Sequence, residues 1–113
     1  MIRPTDYRGV YTDGRTLYTE NLVPGTSVYG ERLVRKGSLE FRAWNPRRSK
    51  LAALLLKGFP QYPFEEDSTV LYLGAATGTT ASHISDLVPR GVVYCVEVSP
   101  KTFQKLLILS EQR

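Results

Sequence analysis

This sequence of 113 residues holds one cysteine, one histidine, one methionine and one tryptophan. A lone Cys95 excludes an internal disulfide and fits a reducing compartment. It lies in the apolar run Val92-Val93-Tyr94-Cys95-Val96 and reads as a small buried hydrophobe, not a nucleophile. His83 has no Cys or Asp at ligand spacing, so no metal is expected, and its reading is helix packing. Glu65-Glu66-Asp67 reads as a solvated stretch of linker and not as a metal pair. No apolar run approaches the ~18 residues of a membrane span, and the first fifteen residues are too polar for a signal peptide. A soluble, cytoplasmic protein without membrane contact is expected.

Charge is present but unevenly spread. Residues 1–60 carry 11 Lys or Arg against 5 Asp or Glu, and residues 61–113 carry 4 against 6. A polyanion would therefore meet the N-terminal part, a solvated basic surface being the plainer alternative.

Residues 1–45 read as a small β-rich domain. Gly9-Val10-Tyr11-Thr12 and Thr16-Leu17-Tyr18-Thr19 flank Asp13-Gly14, a strong hairpin signal. A second hairpin is predicted from Glu31-Arg32-Leu33-Val34-Arg35 and Leu39-Glu40-Phe41-Arg42-Ala43-Trp44, around Lys36-Gly37-Ser38. Tyrosines in such surroundings pack a small sheet and keep their hydroxyls wet. Residues 46–67 form a helix and linker: good helix formers from 49 to 57, stopped by Gly58 and Pro60. From 68 to 113 the order is strand (69–73), glycine-rich turn, helix (79–88), strand (92–98), helix from Ser99-Pro100. The fold class is thus α/β, the start of a parallel Rossmann-like sheet with a right-handed crossover, preceded by the hairpin-rich segment. The final helix has no stop signal and is expected to feed a further strand, so the chain reads as truncated.

The sharpest local feature is Gly74-Ala75-Ala76-Thr77-Gly78-Thr79, directly after a strand and opening a helix. Small residues at 74, 76 and 78 let the backbone turn tightly and let a ligand approach the main chain. Glu97, 23 residues beyond Gly74, closes the next strand, where a carboxylate can accept both hydroxyls of an adenosine ribose. Alanine at 76 and threonine at 79 fit the dinucleotide fingerprint poorly, and a sulfonium ligand brings no pyrophosphate to seat. S-adenosylmethionine is the favoured ligand; a dinucleotide and a purely structural turn are the alternatives. Thr79 and Thr80 are candidates to cap the helix or to donate to the ligand.

The stretch Leu71-Tyr72-Leu73-Gly74-Ala75-Ala76-Thr77-Gly78-Thr79-Thr80-Ala81-Ser82-His83 resembles the adenosylmethionine motif of the fibrillarin family. Tyr94-Cys95-Val96-Glu97-Val98-Ser99-Pro100 is similar to that family's second strand. Asn21-Leu22-Val23-Pro24-Gly25, Val28-Tyr29-Gly30-Glu31 and Trp44-Asn45-Pro46-Arg47-Arg48-Ser49-Lys50-Leu51-Ala52 also look like archaeal fibrillarin signatures. The five matches run in order over nearly the whole chain.

The resemblance implies methyl transfer from S-adenosylmethionine to the ribose 2'-hydroxyl of rRNA or tRNA, directed by a box C/D guide RNA. It implies a scaffold protein and a kink-turn-binding protein as partners. Gly74, Ala76, Thr79 and Thr80 would line the donor pocket, Glu97 would hold the ribose, and Val98 would lie beside the adenine. Lys50 would be the first lysine of the family's catalytic Lys-Asp-Lys-His set, whose other members are expected after residue 113. Read without the family, Lys50 is an exposed lysine at a helix start. Arg42, Arg47 and Arg48, beside Lys50, form a cluster expected to face the RNA backbone. These 113 residues by themselves are expected to bind little cofactor and to methylate nothing. Two other readings predict different behaviour: a docking module anchored by its tyrosines and Trp44, and an NAD-dependent oxidoreductase.

Overall fold

The computed structural model describes residues 1–113. Five strands build an antiparallel sheet: β1 (Arg3–Pro4), β2 (Val10–Thr12), β3 (Leu17–Glu20), β4 (Leu33–Lys36) and β5 (Leu39–Trp44). Their spatial order is β1-β2-β3-β5-β4. The β2–β3 hairpin turns where Asp13-Gly14 predicts it, with Tyr11 opposite Tyr18. Asp13 Oδ1 accepts from the backbone N–H of Arg15 (2.9 Å) and Thr16 (2.8 Å), and Gly14 supplies a φ of 98°. The β4–β5 hairpin turns between Lys36 and Leu39 as expected, although β4 starts at Leu33 and not at Glu31. Glu31 is instead drawn to the N–H groups of Val28 and Tyr29 and to Arg42.

The helix α1 (Lys50–Lys57) starts at the N-cap Ser49, whose hydroxyl accepts from Ala52 N, and stops at Gly58 with φ 99°. The stretch that follows is tied down by hydrogen bonds. Phe59 N donates to Tyr7 Oη (2.6 Å), and Tyr62 Oη donates to Arg8 O (2.7 Å). Burial pushes the Tyr62 hydroxyl up to about 12.

Next come β6 (Thr69–Leu73), α2 (Thr79–Leu87), β7 (Val92–Val96) and α3 (Pro100–Gln112). β6 and β7 pair in parallel, Thr69 opposite Val92 through Leu73 opposite Val96. Their connection through α2 is the predicted start of a Rossmann-like sheet. β7 ends at Val96, two residues short of its expected end, which leaves Glu97 in the loop beyond the strand.

One hydrophobic cluster serves both sheets: Val10, Leu17 and Trp44 from the first, Ala52 and Leu55 from α1, and Leu87 and Val88 at the end of α2, with Val70 and Val93 of the second sheet packed against it. A 113-residue chain has little interior to divide, and sharing one core buries more apolar surface than two small ones would. Cys95, expected to be buried, is half-exposed on β7.

Candidate nucleotide site

The site is a backbone feature first. Gly74 and Ala75 both donate their N–H to Val96 O (2.8 and 3.0 Å), which folds the loop after β6 over the end of β7. The turn requires positive φ at Gly74 (77°), Ala76 (52°) and Gly78 (97°). Ala76 is the one non-glycine residue of the chain in the left-handed region, a strained state that clusters at ligand sites. A Cβ on Gly74 would meet nothing within 4 Å, so open space lies directly against the main chain there. At Gly78 a Cβ would press on Leu109 (2.5 Å) and Leu106 (3.0 Å), so the third small residue lets α3 close on the start of α2.

Glu97 is locked across this loop. Its Oε1 accepts from Ala76 N (2.8 Å); its Oε2 accepts from Ser99 N (3.1 Å) and Thr102 Oγ1 (2.8 Å). Thr102 first, then the two backbone donors, hold the carboxyl below the usual carboxylate range, so it stays an ionised acceptor. Oε1 keeps a lone pair free for an incoming hydroxyl. Thr102 was not among the sequence candidates, though its place one helical turn after Ser99-Pro100 was a legible signal. Val98 stands beside Glu97 and is 92% exposed.

Neither threonine caps α2, contrary to the capping alternative; its N-cap is Gly78, with no side-chain hydrogen bond. Thr79 lines a cavity of about 370 Å³ with Thr77, Tyr29 and Arg48. Thr80 Oγ1 donates to Ser49 Oγ (2.8 Å), the residue before Lys50. Lys50 is exposed at the first turn of α1. The residue before Lys50 and the helix that follows the glycine loop are therefore joined through one hydroxyl pair.

Arg47 and Arg48 are exposed on a turn in which Arg48 N donates to Asn45 O (3.1 Å) and Arg47 N to Asn45 Oδ1 (2.9 Å). Arg42 corrects the sequence reading. It is wholly buried, with Nε on Glu31 (2.7 Å), Nη1 on Asp86 (2.9 Å) and Nη2 on Ser82 Oγ (2.8 Å). A guanidinium removed from solvent and committed to two carboxylates cannot face an RNA backbone. Asp86, which sequence reasoning passed over, also accepts from Thr19 Oγ1 (2.7 Å), Leu22 N (3.0 Å) and Arg113.

His83 is helix packing, as expected, and more besides. Thr19 gives its proton to Asp86, so His83 Nδ1 carries hydrogen and donates to Thr19 Oγ1 (2.9 Å). Its Nε2 then accepts from Tyr29 Oη (2.6 Å), and its ring stacks on Trp44 at 4.8 Å. Burial, followed by the charges of Arg42 and Arg113, holds the ring neutral by lowering its pKa well below the usual value. No group of three or more potential metal ligands occurs, and no helix is long and apolar enough to cross a membrane.

A parallel β-α-β frame, a strained small-residue loop after its first strand and a fixed acid beyond its second define the start of a Rossmann-like methyltransferase fold. The fibrillarin family profile matches residues 2–113, and the chain belongs to the fibrillarin family. It is 54% identical over 109 residues to the fibrillarin-like rRNA/tRNA 2'-O-methyltransferase of Methanopyrus kandleri, covering 95% of this chain and 47% of that protein. The protein of the same name from Sulfolobus acidocaldarius is 50% identical over 109 residues, again 95% and 47%. The crystal structure of Aeropyrum pernix fibrillarin with natively bound S-adenosyl-L-methionine superposes with a TM-score of 0.93 at 48% identity, over all of this chain and 52% of that one. A chain of a fibrillarin/Nop5p complex matches with a TM-score of 0.79 at 48% identity, over 94% and 47%. The chain thus spans about half the length of the relatives it matches.

Proposed function

We propose that the protein is an S-adenosylmethionine-dependent RNA 2'-O-methyltransferase. In this reading it modifies rRNA or tRNA as part of a box C/D ribonucleoprotein with a guide RNA, a scaffold protein and a kink-turn-binding protein. The observation that carries the reading is Glu97, ionised and pinned at 2.8 Å to Ala76 N across a loop with open space at Gly74. A ribose hydroxyl meets a ready acceptor there, and a ligand lying against residues 74–76 needs no side chain to move aside.

S-adenosylmethionine supplies the methyl group. Gly74 and Ala76 present the main chain to it, Thr79 offers a hydroxyl at the helix start, and Val98 lies beside the base. In that transfer the ribose oxygen would take the methyl group as the S–CH₃ bond breaks, leaving a neutral thioether, and the hydroxyl proton would pass to solvent water. Lys50 places a cation where negative charge develops on oxygen. Arg47 and Arg48 hold the RNA backbone without reading its sequence, so the guide supplies the choice of target.

The test is donor binding by the full-length protein in titration calorimetry, together with transfer of labelled methyl groups to a guide-paired RNA. Replacing Glu97 by alanine is expected to weaken donor binding at least tenfold. Donor binding indifferent to that change, or competition by a nicotinamide dinucleotide, would remove the methyltransferase reading.

A further inference from the structure

We propose that a second cleft, between the N-terminal sheet and the turn at residues 44–48, seats the sugar-phosphate backbone of RNA, with Arg15, Arg32 and Arg48 as its phosphate contacts. This rests on the methyltransferase reading and carries its RNA track from Arg48 onto the hairpin face, to Arg15 and Arg32.

The cleft has a volume of about 430 Å³, within the range that holds a nucleotide-sized group. Arg15, Tyr29, Arg32, Trp44 and Arg48 are among its walls. None of the three arginines belongs to an ion pair; the paired arginines are Arg35, Arg42, Arg90 and Arg113. The two carboxylates nearby are committed elsewhere. Glu31 holds Arg42 and the N–H groups of Val28 and Tyr29. Asp13 holds the N–H groups of Arg15 and Thr16 and the Tyr18 hydroxyl. Three positive charges are left facing the same space.

Exposed arginines are usually just solvated, and two features set these apart. Two of them are held in place: Arg32 Nη2 donates to Tyr18 Oη (2.7 Å), and the Arg48 guanidinium lies 5.1 Å from the centre of the Tyr29 ring. An arginine already ordered on an aromatic partner loses less freedom when it takes a phosphate. Next, Tyr29 and Arg48 also line the cavity that contains Thr77 and Thr79. A strand lying in the cleft is thereby led past Arg48 to the mouth of the glycine loop. That continuity favours RNA over an acidic protein segment, which would have no reason to end there.

The experiment measures binding of guide-paired RNA against salt concentration. It compares the unaltered full-length protein with an Arg15→Gln/Arg32→Gln pair and an Arg15→Lys/Arg32→Lys pair. Two phosphate contacts at about 0.7 each predict that the glutamine pair flattens the slope of log K against log salt by about 1.4, with roughly 25-fold weaker binding near 0.1 M salt. The lysine pair should keep the slope, and donor affinity should be unchanged in both. An unaltered slope in the glutamine pair, with RNA still bound and methylated by the unaltered protein, overturns the cleft and leaves the methyltransferase reading standing. An unaltered protein that neither binds nor methylates RNA overturns both. Phenylglyoxal modification of the unaltered protein gives a check independent of any variant's folding: RNA should shield Arg15 and Arg32, and equal labelling with and without RNA overturns the proposal. Displacement of RNA by a polyglutamate peptide at lower concentration would also overturn it, reassigning the cleft to an acidic protein.

Discussion

Thr80 Oγ1 donates a 2.8 Å hydrogen bond to Ser49 Oγ, joining the second residue of α2 to the residue that caps α1 and precedes Lys50. Ser49 is 3% exposed, so this contact is not traded freely for water. The glycine loop runs straight into Thr80 on one side, and Lys50 follows Ser49 on the other. The hydroxyl pair therefore ties the start of α1, which carries Lys50, to the start of α2 beside the loop.

Thr80→Val should separate positioning from binding. Removing the hydroxyl while keeping the side-chain volume frees Lys50 to drift, and misplacement on the order of 1 Å can cost up to about a hundredfold in rate. We expect single-turnover methyl transfer to fall roughly ten- to a hundredfold while donor affinity stays within about threefold, with Thr80→Ser restoring most of the rate. Equal losses in rate and affinity would return Thr80 to the donor pocket.

Arg42→Ala should act on stability. Arg42 and Asp86 are both fully buried at the side chain, and Glu31 is nearly so. Removing the guanidinium takes away the one ionic partner of Glu31 and one of the two of Asp86, and breaking a buried pair typically costs about 3–5 kcal/mol. Urea unfolding should show a loss of that order, against less than about 0.5 kcal/mol for Arg47→Ala on the exposed turn.

The contrast between those two arginines marks what the sequence could disclose. Turns and the glycine loop are written locally: Asp13-Gly14, Ser99-Pro100 and residues 74–79 each announce themselves within six positions. Arg42 is not local. It sits in β5 between Phe41 and Trp44, and all of Phe41, Arg42 and Trp44 are buried because one face of the sheet meets α2 while the other meets its own neighbours. A strand covered on both faces breaks the in–out alternation by which a charged residue is assigned to solvent. Its partners, 11, 40 and 44 positions away, are visible only once the chain has folded. Glu97 was legible as an acceptor from its spacing, whereas the donors that fix it were not, since Ala76 contributes a backbone N–H that no side-chain pattern encodes.

Gly91→Ala tests the close approach that sets the parallel pair. Gly91 precedes β7, and a Cβ there would collide with the backbone carbonyl oxygen of Ser68, just before β6. Backbone cannot swing aside as a side chain can. Val92 N also donates to Ser68 O (3.1 Å), the first rung between the two strands. The substitution should destabilise by at least about 2 kcal/mol, in the range of overpacking changes, and lower the melting temperature. Gly37→Ala, whose Cβ would meet nothing within 4 Å, should cost only the strain of its positive φ, about 1 kcal/mol.

His83 should make stability depend on pH near neutrality. The folded protein holds the ring neutral, with its pKa well below 6.5, while the unfolded chain takes up a proton in the ordinary way. Over the window below about pH 6.5 the unfolded state binds more protons than the folded one, so stability rises with pH and falls as the solution is acidified. The limiting slope is about 1.4 kcal/mol per pH unit, and it ends where the folded ring itself begins to titrate. Between pH 7.5 and 5.5 the carboxylates held low, Glu31 and Glu97 among them, remain ionised in both states and add little. Unfolding free energies measured across that interval should therefore decline toward acid and level off above pH 7. His83→Gln cannot take up the proton, so whatever its absolute stability its curve should be flat over the same interval. A slope that survives the substitution would mean that the proton is taken up elsewhere, and that the Thr19–His83–Tyr29 chain does not hold the ring neutral.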